Sequence, residues 1–210
     1  MAKLKKATNG NPALPYSVEP GEVQTNGLGN LIIGYQELRA GNVLPAYGFG
    51  CASDLDRNDD VRTGSHNLIV GNQHNYESFG GSALGYRNWS LGAYSTVTGG
   101  LFNRAEGNYS SVSGGGRNVT EGAQASILGG LANGACGSAA TISGGTSNNA
   151  TGTRTSVLGG TQNTADGYEA TVSGGLRNVS SGNESTVAGG VDVTIGSAFW
   201  TATGTLQIEP

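Results

Sequence analysis

Formal charge is scarce in this sequence. Asp, Glu, Lys and Arg make up 12% of its 210 residues and leave a net charge of −4. Without a basic stripe there is no electrostatic footprint for nucleic acid, and none is expected as a partner. Histidine and cysteine number two each, too few for a disulfide framework or a metal-ligand cluster. No Ser/His/Asp set, carboxylate pair or phosphate-cradling loop can be assembled, so the chain reads as non-enzymatic, without catalytic residues. Long apolar runs are missing too. Nothing is long enough to cross a bilayer, and the basic Met1–Lys6 is not followed by a run of signal-peptide length.

Glycine, by contrast, is abundant, with 38 residues. It shows no three-residue period, which excludes collagen. The period is fifteen: seven consecutive units run from Leu84 to Ala188 without insertion or deletion, as in GGLFNRAEGNYSSVS and GGTQNTADGYEATVS. A fixed period this short predicts a solenoid, in which each unit forms one coil and buries its inner face on its neighbours. Coil position 1 falls at Leu84, Gly99, Gly114 and every fifteenth residue after. On that count position 5 is Asn in all seven coils, from Asn88 to Asn178. Position 9 is Gly in all seven, from Gly92 to Gly182, and position 14 is Val or Ile, from Val97 to Val187. Positions 7 and 12 are always small.

Two short strands per coil follow from this pattern. Alternation over positions 11–15 turns 12 and 14 inward and 13 and 15 outward, and position 7 closes a thin interior from the second strand. The GG pair and the position-9 Gly are expected at the two reversals, supplying positive φ. The Asn column is expected to form a ladder, amide to amide. Neither position 13 nor position 15 carries a charge in seven coils. A solvated face would carry Lys, Glu or Asp. This face, with Thr98, Ser113, Leu128, Ser143, Leu158 and Ser173 at position 15, is therefore predicted to be an interface between chains. Aromatics and charges collect at positions 4, 6, 8, 10 and 11, the predicted outside. Tyr94, Phe102, Arg104, Tyr109, Arg117, Arg154 and Tyr168 are the candidate ligand-binding residues there.

The ends decorate this roll. Residues 1–26, with Pro12, Pro15 and Pro20, read as an irregular arm. Residues 27–83 read as capping coils carrying an insertion at 35–63, residues 84–190 as the roll, and residues 191–210 as a C-terminal cap. The runs NLIIG (30–34) and NLIVG (67–71) are predicted to be the first two coils, with Leu and Ile plugging an open end. The span 72–83 keeps the coil logic but reads as slightly long, so that the strict register starts at Leu84. Phe199 and Trp200, too large for the interior, are expected to close the last coil as a lid, with VTIG (193–196) as the final strand.

Within the insertion, Asp54, Asp56, Asn58 and Asp60 place oxygen ligands at alternate residues, as calcium loops do. Asp59 stands where the turn Gly belongs and Ser65 where the closing Glu belongs. A solvated acidic loop is the favoured reading and a calcium site the alternative. Cys51 and Cys136 read as free thiols, because about five coils at ~4.8 Å separate them and a disulfide needs Cα atoms within about 7 Å. His66 and His74, without acidic or thiol neighbours, read as structural. Three of the six Asn-X-Ser/Thr sequons fall on position 5 and are a by-product of the repeat.

The pattern GG-x-x-N-x-A-x-G-x-x-S-T-V-S resembles the repeats of YadA-like heads of trimeric autotransporter adhesins. That resemblance implies a left-handed parallel β-roll, three chains packed around one axis, and display at a cell surface. An autotransporter also carries a signal, a coiled-coil stalk and a membrane anchor. The expectation is therefore an excised head, or a chain delivered by another route such as a phage or contractile-tail fibre. The function expected is a homotrimeric extracellular fibre head that adheres to host, matrix or cell-surface protein or glycan ligands. The alternative is a receptor-binding fibre segment of a virion or tail-like particle. A third reading is ice binding by the Ser and Thr columns at positions 13 and 15, which Leu128, Leu158 and Ala188 interrupt.

Overall fold

In the computed structural model, residues 4–6, 23–25, 29–34, 51 and 61–203 are described. They form an all-β parallel solenoid of about nine turns, with no helix among them. A thirteen-stranded sheet, which holds the position 13–14 strands, faces a nine-stranded sheet of position 6–7 strands. Each residue pairs with its equivalent one coil on, as in Val112↔Ile127 and Thr120↔Ala135. Position 3 adds a column of single bridges from Tyr86↔Leu101 to Leu176↔Val191. The interior is as narrow as the repeat implies: Val97, Ala105, Val112, Ala125 and Ile127 are all fully buried. Where positions 7 and 12 are both Ser, the hydroxyls meet across it, Ser90 with Ser95 at 2.8 Å and Ser180 with Ser185 at 2.6 Å.

The corners differ from expectation. Of the GG pair only position 2 has positive φ, 79–94° from Gly100 to Gly175. Position 9 has none. There a Cβ on Gly122 or Gly137 would be driven into the carbonyl of the next coil's position-9 Gly, so glycine is required by close backbone stacking. Left-handed backbone falls instead on non-glycine residues at positions 4 and 11, among them Phe102 (57°), Arg117 (56°), Tyr109 (59°) and Arg154 (58°). That conformation costs about 1–2 kcal/mol per residue. What offsets it is hydrogen bonding. The N–H groups of Phe102, Arg117, Tyr109 and Arg154 donate backward, to Tyr86, Leu101, Ala93 and Ser138 of the preceding coil. Neighbours such as Thr96 and Leu101 donate forward, to Ser110 and Gly115. Every coil is tied in both directions.

These constraints separate two glycine columns experimentally. Gly137→Ala is expected to cost about 3–5 kcal/mol, because the Gly152 and Thr151 backbone of the next coil must give way. Position-1 Gly129 lacks a positive φ, and a Cβ there meets nothing within 4 Å. Gly129→Ala should therefore change stability by no more than ~1 kcal/mol. Urea midpoints check the pair, and equal midpoints would refute the stacking argument.

The Asn column is a ladder from side chain to backbone, not from amide to amide. Asn103 Oδ1 accepts from the Asn118 N–H at 3.0 Å. Asn118 Nδ2 donates to Gly114 O in its own coil and Gly130 O in the next, both at 3.0 Å. His74 takes this place one coil before Asn88. Its Nδ1 accepts from the Asn88 N–H at 3.2 Å and its Nε2 lies 3.1 Å from Val70 O, which assigns the Nε2–H tautomer. Asn30 and Asn67 play the same part in the other half of the coil, at position 12: Asn67 N–H donates to Asn30 Oδ1 and Gly81 N–H to Asn67 Oδ1, each at 2.7 Å.

NLIIG and NLIVG do begin the solenoid, Leu31–Ile33 pairing in parallel with Leu68–Asn72. Only Ile32 and Ile69 point inward, however; Leu31, Ile33 and Leu68 are exposed on the outer face of the larger sheet. The end is closed by Val23–Thr25, antiparallel to Leu31–Ile33, with Leu4–Lys6 beyond it. The early coils are short, not long. Leu68, Ser82 and Thr96 pair at fourteen-residue spacing, since Val70 and Leu84 each stand for both position 15 and position 1. At the other end the coil persists further than its sequence suggests, through Thr201–Thr203. Phe199 and Trp200 form no lid and are 74% and 66% exposed. Phe199 occupies the left-handed corner, which points outward (φ 60°). Trp200 falls at position 12, an inward slot that holds nothing larger than Thr in the seven coils before it.

Candidate functional surfaces

Position 15 forms an open column on the outer face of the larger sheet. Thr98, Ser113, Ser143 and Ser173 are exposed, as are Leu128 (62%) and Leu158 (53%). The absence of charge extends beyond the repeat, since the equivalent places in the first coils hold Leu31, Ile33, Leu68, Val70, Ser82 and Leu84. From Leu31–Ile33 to Thr201–Thr203 the face crosses eleven strands, a length of about 50 Å at ~4.8 Å per strand. Beside it runs the position-1 glycine column. For Gly114, Gly129, Gly144, Gly159 and Gly174 a Cβ would meet nothing within 4 Å, so nothing within the chain demands glycine there.

The candidate ligand-binding residues do not share one face. Phe102 and Arg117 lie at position 4, on one edge of the roll. Tyr94, Tyr109 and Arg154 at position 11 and Tyr168 at position 10 lie on the opposite edge. On the first edge Tyr86 and Phe102 pack edge to face at 5.9 Å, with the Arg87 guanidinium over both rings. On the second, Phe79 packs edge-on against Tyr94 and Tyr94 stacks on Tyr109, one ring per coil. Further along that edge Arg154 donates to Tyr168 Oη at 2.7 Å and to Glu169 at 2.9 Å. Hydrogen bonds from Arg154 and then Tyr168 hold the Glu169 carboxyl below the usual carboxylate range. Arg177 and Asp192 form a two-pronged pair at 2.5 and 2.6 Å. These edge cations are engaged within the chain.

Arg104 is a correction. It projects from position 6 onto the broad face of the nine-stranded sheet, where it is 8% exposed, paired with Glu106 and 5.9 Å from the Trp89 ring. Position 6 is buried from Asn75 through Trp89, Arg104 and Val119 to Gly134, then opens from Asn149 onward. The outer side of this sheet is thus not uniformly free.

Cys51 and Cys136 are joined by a disulfide, with Cα atoms 5.3 Å apart, and are not free thiols. The expectation of free thiols kept the insertion beside its own coil. Nine residues separate Cys51 from Val61, a reach of about 30–35 Å against ~24 Å for five coils. The chain is long enough to reach the outward position-8 Cys136. A Glu121 oxygen and the two sulfurs lie within 4.8 Å of one another, but the sulfurs are already bonded together, so this is not a metal centre. The calcium candidates Asp54, Asp56, Asn58 and Asp60 lie outside the described residues.

No helix among the described residues is long and apolar enough to cross a membrane. In comparisons with known proteins, the chain matches no family model and no curated sequence.

Proposed function

We propose that the chain is the rigid head segment of an extracellular fibre, a left-handed roll assembled as a homotrimer, and that it displays its edges to surface ligands without catalysing a reaction. The observation that carries this reading is the uncharged face of eleven strands with Leu128 and Leu158 standing exposed on it. Depletion of charge over so long a face is what the core of a protein–protein interface shows. The unconstrained position-1 glycines alongside it suit close approach by another backbone. A second copy has the same coil rise, so its columns stay matched to these along the whole face. The disulfide supports export, because such bonds persist in oxidising compartments. A cell-surface adhesin and a virion or tail fibre share this geometry.

Sedimentation of the purified chain is expected to give three copies per particle. Leu128→Glu with Leu158→Glu should give monomer or aggregate, since each copy then brings two unpaired carboxylates into the interface. A stable wild-type monomer would overturn the reading. It would favour the regular Ser and Thr columns of the same face as an ice-binding array, which thermal hysteresis would then reveal.

A further inference from the structure

We propose that the aromatic edge formed by Phe79, Tyr94 and Tyr109 is a platform for a neutral saccharide chain of about three sugar units. The assignment deepens the display role proposed above by giving the ligand a chemical class.

The three rings occupy consecutive coils and are held without help from a ligand. Tyr94 lies against Gly80, where a Cβ would come 2.7 Å from the ring, so the glycine makes its seat. Phe79 braces Tyr94 edge-on, with centroids 5.1 Å apart and planes at 78°. Tyr109 stacks on Tyr94 with centroids 5.2 Å apart and planes at 14°. Carbon atoms in contact lie about 3.5–4.0 Å apart, so near-parallel rings at that centroid distance are offset like steps. Part of each face stays open, and Tyr109 is 61% exposed. The neighbouring residues at positions 10 and 11 are Ala93, Asn108, Ala123 and Gln124, none of them charged.

This combination suits a sugar. The π face carries partial negative charge and attracts the electropositive C–H face of a pyranose. The amides of Asn108 and Gln124 can serve hydroxyl groups at the rim. No charge at these positions favours an acidic glycan or steers a charged peptide. The coil rise of ~4.8 Å is close to the length of one pyranose unit in a chain, so the Tyr94 and Tyr109 faces offer two stacking subsites and the Phe79 edge borders a third. Rings already locked in place lose little freedom on binding. In a trimer the platform recurs three times, which raises avidity.

Isothermal titration of the full chain tests this, with hexamers of β-1,4-linked glucose, α-1,4-linked glucose and β-1,4-linked N-acetylglucosamine as probes. At least one is expected to bind. Tyr109→Ala should weaken that binding about tenfold, while Tyr109→Phe, which keeps the ring, should stay within about threefold. Glu184→Ala, at an exposed site further along the same edge, should leave it unchanged, and thermal melts of each variant report folding. No binding of any hexamer at about 10 mM, or equal binding by a folded Tyr109→Ala, overturns the proposal. Sedimentation separates the two readings. A monomer that binds keeps the platform and removes the fibre, and a trimer that does not bind does the reverse.

Discussion

Asn118→Ala is expected to lower the stability of this chain by about 3–6 kcal/mol, far more than its size suggests. The substitution strands three partners at once: the buried Asn133 N–H, which donates to Asn118 Oδ1, and the part-buried carbonyls of Gly114 and Gly130. An unpaired buried polar group costs about 1–3 kcal/mol. Gly130 O is the least affected, because it also accepts from the Gly116 N–H at 2.9 Å. Asn118→Asp separates hydrogen bonding from packing. It keeps the shape and one acceptor but turns a carboxylate oxygen toward two carbonyls, so it should be at least as damaging. Because solenoid coils contact only their neighbours, the damage should centre on the coils either side. Urea unfolding and amide exchange at Asn133 read both effects. A loss below about 1 kcal/mol for either variant would remove the ladder from the account of stability.

Breaking the Cys51–Cys136 bond is the other large perturbation. The cysteines stand 85 residues apart in sequence, and closing a loop of that length removes about 4–5 kcal/mol of unfolded-state entropy. Cys136→Ser should therefore lower the melting temperature sharply, and a reductant should do the same to the wild type but not to the variant. The folded, unreduced chain should take up no thiol label. Labelling of both cysteines without unfolding would show that the bond does not form. The bond also joins the first coils to one five coils further along, which nearest-neighbour stacking alone cannot do.

Much of this architecture is legible in the spacing of a few residue types. Asn at position 5, Gly at position 9 and Val or Ile at position 14 each answer a demand that recurs wherever one coil stacks on the next. Fifteen-residue spacing thus gave the strands, their parallel pairing and the buried columns. It misjudged how the demand is met. Gly137 reads as a turn glycine, yet it is a stacking glycine, because only neighbouring backbone positions reveal the collision a Cβ would cause. Phe102 and Tyr109 carry no signal for left-handed backbone, since the hydrogen bonds that hold them there belong to the preceding coil.

Position 13 and 15 chemistry, and the gathering of aromatics on the outside of the coil, were likewise visible in the spacing. That Phe79, Tyr94 and Tyr109 pack together while Arg104 lies buried beside Trp89 was not. Periodicity places a side chain on a side of the coil but not against its neighbours. The sequence by itself determined everything that repeats, because a contact between adjacent identical coils is set by local spacing. The tertiary structure alone decided what does not repeat: the partner of Cys51, the antiparallel strand over the first coil, and the exposure of Phe199 and Trp200. Those depend on the path taken by segments whose contacts lie far away in sequence, and no period encodes that path.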